Sequence, residues 1–310
     1  MKTLQESLNE YIDMKKSLGF KVDVINRNLQ SFLQFMDDNG VNIITIDIAV
    51  RWARIPSSAK PSWWAQRLGF VRGFARYQCA LDNISVVPPP GLLPFRSKRA
   101  SPYIYTNDEI SRLLKASLAI RSVHGVKHRT YHLLLGLLAV TGMRIGEILR
   151  LNVNSVDLTD DTIKVLNSKG GKSRIVPLHY TTTVAIKEYI TKYRILIEGT
   201  CDDTLLLNDY GRRISMYDIH TTFNQLTKTT GLRNVGAKYG PRLHDFRHRF
   251  AIETLLRWYR RGDDVESKIP LLSTYLGHAA VRSTYWYLSA TPELLNMATK
   301  RIEDRWESMS

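Results

Sequence analysis

Residues 276–290 read LGHAAVRSTYWYLSA. Gly277 and His278 are followed by two tyrosines, Tyr285 and Tyr287, with Trp286 between them. On pattern alone the stretch is a glycine-ended helix followed by core aromatics. It equally admits one tyrosine as a nucleophile held at a fixed separation from His278. A phenol with a pKa of about 10 is largely unionised at neutral pH and needs help to lose its proton. If its target is a phosphodiester, negative charge builds on the non-bridging oxygens, and planar arginine donors suit that charge better than lysines. Each well-placed donor is worth roughly 10²- to 10³-fold in rate. The departing sugar oxygen also needs a proton, which a mobile lysine or a histidine can supply. A tyrosine nucleophile therefore requires two Arg, one or two His and a Lys elsewhere in the chain.

Three further stretches answer to that list, each weak alone. TGMRIGE (141–147) places Arg144 after a glycine break, with Glu147 three residues on and on the same helical face; alone it reads as a surface ion pair. NSKGGKSR (167–174) carries Lys169 and Lys172 on a glycine turn, where a lone lysine is ordinarily just solvated. LHDFRHRF (243–250) places His244 and Arg247 together, with Phe246 and Phe250 on the opposing apolar face. His244 and His248, four apart, also invite a zinc reading. Arg247 and Arg249 beside them repel a divalent cation, and no cysteine or carboxylate stands near as a third ligand. His128 and His132 share that weakness, since no glutamate follows His128 as in a zincin. Together the stretches supply Arg144, Lys169, His244, Arg247, His278 and Tyr287, in that order.

In these boxes the chain resembles the tyrosine recombinases, the phage integrase family. The resemblance covers residues 105–290 for the chemistry, and six matching positions in order and spacing make it specific. It implies that Tyr287 forms a 3′-phosphotyrosine bond and that Arg144 and Arg247 hold the scissile phosphate. His244 and His278 would bind the phosphate and assist proton transfer. Lys169 would be the general acid toward the 5′ oxygen, with Lys172 the lesser candidate, and Glu147 would support the first arginine. Tyr285, seven rather than nine residues after His278, does not match. The implied enzyme is a site-specific DNA recombinase of compact, Xer-like or transposon-encoded type, without an arm-binding segment. It would bind inverted half-sites in double-stranded DNA as a homodimer and recombine within a homotetramer. Because the covalent intermediate would retain the phosphodiester energy, the resemblance implies neither ATP nor a metal.

The composition agrees with that expectation. At 310 residues the chain has room for two domains, and 44% apolar with 24% charged residues reads as globular. The net charge is +15 and the pI near 9.8, which points to a polyanionic partner, most often nucleic acid. Nothing in the sequence has the eighteen-residue apolar run of a membrane span, so no membrane partner is expected. Glu6, Glu10 and Asp13 exclude a secretory signal. Cys79 and Cys201 lack metal or redox spacing, so the expected compartment is a reducing cytosol, and the resemblance implies a prokaryotic cytoplasm with the protein on the nucleoid.

The expected fold is mainly α with a small β-sheet, in two domains: a helical DNA-binding domain (1–86), a basic proline-rich linker (87–104) and a catalytic domain (105–310). Four helices fill the first 80 residues, with turns near Gly19, Asn39-Gly40 and Pro56 to Pro61. Residues 51–76 hold six basic residues and no acidic one, whereas residues 1–50 hold five basic against seven acidic. Arg51, Arg54, Lys60, Arg67, Arg72 and Arg76, with Arg96, Lys98 and Arg99 of the linker, are the candidate phosphate contacts. A solvated helix face is the alternative. Trp63, Trp64 and Phe70 read as core. In the second domain Thr106 or Asn107 caps a helix, HRTYHLLLGLLAVTG (128–142) is a buried helix ending at Gly142, and DTIKVL and SRIVPL are strands about a glycine turn. In the tail, Leu295, Ala298, Ile302 and Trp306 form an apolar stripe that must be buried, either in its own domain or, as the resemblance suggests, against a neighbouring protomer.

Three rival functions remain at this level. A type IB topoisomerase or hairpin telomere resolvase shares the residue set. A metal-dependent nuclease would need carboxylates, but Asp160-Asp161, Asp202-Asp203 and Asp263-Asp264 are sequence neighbours that point to opposite sides in an extended segment. A DNA-binding regulator that has lost catalysis would not need the intact Arg, Lys, His and Tyr positions.

Overall fold

The computed structural model describes residues 2–82, 84–94, 102–166, 171, 173–197, 203–234 and 240–307, without the side chains of 302, 304 and 305. Lys169, Lys172, Cys201 and Asp202 lie outside the described residues, as do Arg96, Lys98 and Arg99. The chain divides into two compact units, Met1–Ala100 and Ser101–Ser310.

The first unit is four helices: α1 (Leu4–Ser17), α2 (Asp23–Asp38), α3 (Ile46–Arg54) and α4 (Pro61–Asp82). Thr3 caps α1 and Glu6 closes a capping box, so the first turn's free N–H groups are satisfied reciprocally. Thr45 caps α3, and Pro61 opens α4, where its missing N–H costs nothing. The helices bury Leu8, Tyr11, Phe32, Met36, Trp52, Leu68, Val71 and Phe74 in one core. Gly73 is needed there, because a Cβ at that position would stand 2.8 Å from the Tyr11 hydroxyl. The described part of the proline-rich segment belongs with this core. Leu93 is buried in it, the Val86 N–H bonds the Ile44 carbonyl at 2.8 Å, and Arg72 donates to the carbonyls of Pro88 (2.7 Å) and Pro89 (2.9 Å).

The second unit begins with α5 (Asn107–Leu118), capped by Thr106 with Glu109 completing the box, then α6 (Lys127–Thr141) and the single turn α7 (Ile145–Ile148). Helix α6 is apolar nearly all round, burying Leu133, Leu134, Leu135, Leu137 and Leu138, as a central helix must. It stops at Gly142, whose left-handed backbone (φ +58°) a side chain would strain; a Cβ there would also meet the Phe250 ring at 2.6 Å. A three-stranded antiparallel sheet follows: β1 (Val156–Asp157), β2 (Thr162–Val165) and β3 (Arg174–Pro177), in that spatial order. Val165 pairs with Arg174, closing the hairpin of β2 and β3. The two-residue β1 has no alternating pattern, and the sequence reading missed it.

Five more helices, α8 (Tyr180–Glu188), α9 (Met216–Thr229), α10 (Leu243–Arg260), α11 (Val265–Leu276) and α12 (Arg282–Tyr285), lead to a 3-10 turn, Trp286–Ser289, and to α13 (Pro292–Glu307). This is the mainly helical, small-sheet architecture expected from the sequence. Among the described residues no helix is long and apolar enough to cross a membrane.

The tail forms the expected helix. Helix α13 packs on its own unit: Leu294 is 0% exposed in a cluster with Leu255, Ile269, Leu272 and Tyr287, and Arg260 pairs with Glu293 at 2.7 Å. Leu295 and Trp306, two members of the expected stripe, are 52% and 68% exposed. Leu294, beside the expected stripe, makes the contact with the unit, and the Thr291 hydroxyl accepts from its N–H at 3.3 Å.

Candidate active site

The site grows from the C-terminal end of α11. Gly277 is left-handed there (φ +65°), its N–H bonds the Thr274 carbonyl at 2.9 Å, and the His278 N–H bonds the Ser273 carbonyl at 3.0 Å. Such an end leaves its last carbonyls without partners inside the helix. Arginines take them: the Leu276 carbonyl accepts from Arg247 Nη2 at 2.6 Å, and the Gly277 carbonyl accepts from Arg144 Nη2 at 2.8 Å.

Arg144 is the N-cap residue of α7. Its Nη1 donates to Glu147 Oε1 at 2.8 Å and its backbone N–H to Glu147 Oε2 at 3.0 Å, so the carboxylate fixes backbone and side chain together. The surface ion pair considered at the sequence level is instead an internal one, because Glu147 is only 2% exposed. Arg247, on α10, is equally buried and donates from Nη1 to the Gly142 carbonyl at 3.0 Å. Burial pushes its guanidinium down to about 10, and the neighbouring Arg144 charge adds to the shift.

His244 opens the same face of α10. Partial burial and the neighbouring Arg247 charge lower its pKa from 6.5, although the residue as a whole stays exposed. Asp245, fully buried, accepts from the Arg242 backbone N–H (2.9 Å) and guanidinium (2.8 Å), anchoring this helix start. The imidazole is thus neutral at pH 7, and its NMR titration midpoint is expected below 6.5. Since the unfolded chain takes up the proton first, stability falls as pH drops through the window below 6.5. A midpoint at or above 6.5 contradicts this.

His278 is held by Thr284, whose hydroxyl lies 2.8 Å from its Nδ1, and its ring stacks on Tyr287 with centroids 6.1 Å apart. Tyr287 is 2% exposed, and its hydroxyl shares a hydrogen bond with His248 Nδ1 at 3.3 Å. Tyr285 is 48% exposed and faces the other way, toward a cleft of about 400 Å³ beside Tyr259, Arg301 and Trp306. The structure therefore brings Arg144, Arg247, His244, His278 and Tyr287 into one cluster and leaves Tyr285 outside it.

Sequence reading missed two members of this cluster. His248 was weighed only as a metal ligand, yet it lies against Tyr287 and packs edge-on against His244 at 4.6 Å. Arg174 was read only as part of a strand. It donates to Glu147 through Nη2 (2.8 Å) and Nη1 (3.2 Å), and through Nε to the Tyr275 carbonyl (2.7 Å). The carboxylate pair Asp263-Asp264 has ordinary work: Asp264 caps α11 and Asp263 pairs with Lys268 at 2.8 Å.

In the first unit the basic candidates separate. Arg54, Lys60 and Arg76 are exposed. Arg51 is exposed but shared with Asn39 (3.2 Å) and Asp47 (3.7 Å). Arg67 lies over the Trp52 ring at 3.8 Å and bonds the Trp52 carbonyl, and Arg72 is tied to the proline carbonyls. Trp64 bonds the Pro56 carbonyl at 2.8 Å, and Trp63 is half-buried near Phe70, a structural use of both rings.

Comparison with known proteins gives a consistent relationship. Residues 104–293 match the model of the phage integrase family. The chain is 43% identical over 311 residues to a putative integrase/recombinase, y4rB, of Sinorhizobium fredii, covering 99% of both. It is 26% identical over 290 residues to the tyrosine recombinase XerD of Oceanobacillus iheyensis, covering 91% of this chain and 89% of that one. Among solved structures, a lambda integrase tetramer bound to a Holliday junction shares the fold, with a TM-score of 0.61 at 18% identity over 90% of this chain and 78% of that one.

Proposed function

The chain belongs to the phage integrase family of tyrosine recombinases, and from that membership we propose that it cleaves and rejoins DNA at specific sites through a covalent bond to Tyr287. The observation that carries the proposal is the enclosure of Tyr287 between His278 and His248, in the cluster that holds Arg144 and Arg247. The Tyr287 oxygen attacks the scissile phosphorus and loses its proton to a neighbouring base. The bond from phosphorus to the 5′ oxygen breaks, and that oxygen leaves as a hydroxyl after taking a proton. The 3′-phosphotyrosine conserves the bond energy, so attack by a 5′ hydroxyl of another strand restores a phosphodiester and releases the phenol. Arg144 and Arg247 neutralise the non-bridging oxygens. Arg247 is held by two backbone carbonyls and Arg144 by the Gly277 carbonyl and Glu147 before the phosphate arrives, so little reorganisation accompanies charge development. His244, neutral in the free protein, gains affinity for a proton once an anion lies beside it. The role of proton donor to the 5′ oxygen is carried over to Lys169 from the family resemblance.

Incubation with a nicked site that loses its 5′ hydroxyl after cleavage is expected to trap a protein–DNA adduct stable to denaturant. A protein that binds the site and never forms the adduct overturns the reading and leaves a binding function.

For the assembly, the proposal is a dimer on inverted half-sites of double-stranded DNA and a tetramer in the synapse, supported by the tetrameric lambda integrase on its junction. The first unit is proposed as the part that binds the core site, through exposed Arg54, Lys60 and Arg76. Removing Arg76 should make the slope of log affinity against log salt shallower, by about 0.9 for each phosphate that is no longer neutralised. Arg72→Ala should instead lower the melting temperature by releasing Pro88 and Pro89. The reverse pattern, a salt effect from Arg72 and none from Arg76, refutes this division.

A further inference from the structure

Three consecutive carbonyls at the end of α11 are each taken by a different arginine from a different part of the fold. The Tyr275 carbonyl accepts from Arg174 of β3, the Leu276 carbonyl from Arg247 of α10, and the Gly277 carbonyl from Arg144 at the start of α7. The negative end of a helix dipole favours such a ring of cations. Two of the three arginines have a proposed task on the phosphate. Arg174 has none, and it cannot share theirs. Its side chain is 9% exposed, its two Nη groups face Glu147 and its Nε faces Tyr275.

We propose that Arg174 is the positioning residue of the site, fixing Arg144, His278 and the base of the β2–β3 hairpin in one geometry. This rests on the recombinase reading given above. Through Glu147, Arg174 acts on Arg144: both guanidiniums bond the same carboxylate, so moving one moves the anchor of the other. Through the Tyr275 carbonyl it holds the end of α11, from which His278 projects three residues later. Gly277 lets it come that close, since a Cβ there would stand 2.9 Å from Arg174 Nη1. Arg174 is also the first residue of β3 and pairs with Val165 across the hairpin. One guanidinium thereby ties together three segments that the chemistry needs in register. A lysine cannot replace it, because an ammonium lacks the planar fork that reaches carboxylate and carbonyl at once.

The test is single-turnover cleavage of the nicked site by the full chain, with wild type, Arg174→Ala and Arg174→Lys. Each is measured on a normal scissile phosphodiester and on a methylphosphonate, which lacks one non-bridging negative charge. Arg174→Ala is expected to keep half-site affinity and to cleave the phosphodiester roughly 10²-fold more slowly, the effect of misplacing one phosphate donor. On the methylphosphonate the ratio of variant to wild type should move toward unity, because the misplaced Arg144 has less charge to neutralise. Arg174→Lys should fall between the two. If Arg174→Ala fails to bind the half-site, the same two-substrate comparison is made with Arg174→Lys, which keeps a charge beside Glu147. An equal slowing on both substrates, or wild-type cleavage of the phosphodiester, overturns the assignment. Wild-type protein that forms no adduct on either substrate instead overturns the recombinase reading beneath it.

Discussion

A Tyr287→Phe protein incubated with the nicked site forms no denaturant-stable adduct, whereas Tyr285→Phe forms it at close to the wild-type rate. That is the outcome expected from the geometry. The two rings lie two residues apart on one short helical stretch, yet one is 2% exposed and stacked on His278 and the other is 48% exposed beside Trp306. Removing the Tyr287 oxygen deletes the atom proposed to bond phosphorus, so adduct formation falls by orders of magnitude rather than by a fraction. The cost to the fold is small by comparison. The variant loses one hydrogen bond to His248, worth about 1 kcal/mol, and keeps the buried ring. Half-site binding should therefore survive, and that separates chemistry from folding. Peptide mapping of the wild-type adduct gives the decisive reading: a DNA-linked peptide carrying the label on Tyr285 would sink the assignment.

The sequence made the four boxes legible because each is local. A glycine break before an arginine, a histidine and arginine three apart, and a histidine nine residues before a tyrosine are all visible within one turn or loop. The helices were legible for the same reason, through caps such as Thr3 and Thr106 and the stop at Gly142. What escaped depends on closure of the chain. Arg174 meets a carboxylate 27 residues away and a carbonyl 101 residues away, and no periodicity announces either. His248 was visible as one of a histidine pair, and only the return of the chain at Tyr287 gives it a partner. Arg72 is another case of chain closure. Its spacing from Arg76 suggested a shared phosphate-facing surface, but proline carbonyls sixteen and seventeen residues on claim its donors.

Replacing Glu147 by alanine is expected to be the most damaging change to the stability of the second unit. An exposed Arg–Glu pair contributes only about 0–1 kcal/mol, and the spacing of Arg144 and Glu147 alone predicts no more. Burial changes the magnitude. Glu147 accepts from the Arg144 backbone and side chain and from both Nη groups of Arg174, and its side chain is 1% exposed against 23% and 9% for its partners. Deleting the carboxylate leaves two enclosed guanidiniums facing each other without a counter-charge. Breaking a buried pair in this way costs about 3–5 kcal/mol. At about 2–4 °C per kcal/mol for a domain of this size, the melting temperature should fall by roughly 6–20 °C. Glu147→Gln keeps the volume and one acceptor oxygen, but turns a nitrogen with its own hydrogens toward one set of donors, so it should fall between. If Glu147 acts through this network, removing Arg174 as well relieves part of the repulsion, and the double variant is less destabilised than the sum of the singles. Thermal unfolding of these proteins, including wild type and the Arg174→Ala single variant, decides the point: strict additivity, or an alanine variant within about 1 kcal/mol of wild type, would return Glu147 to the status of a surface partner.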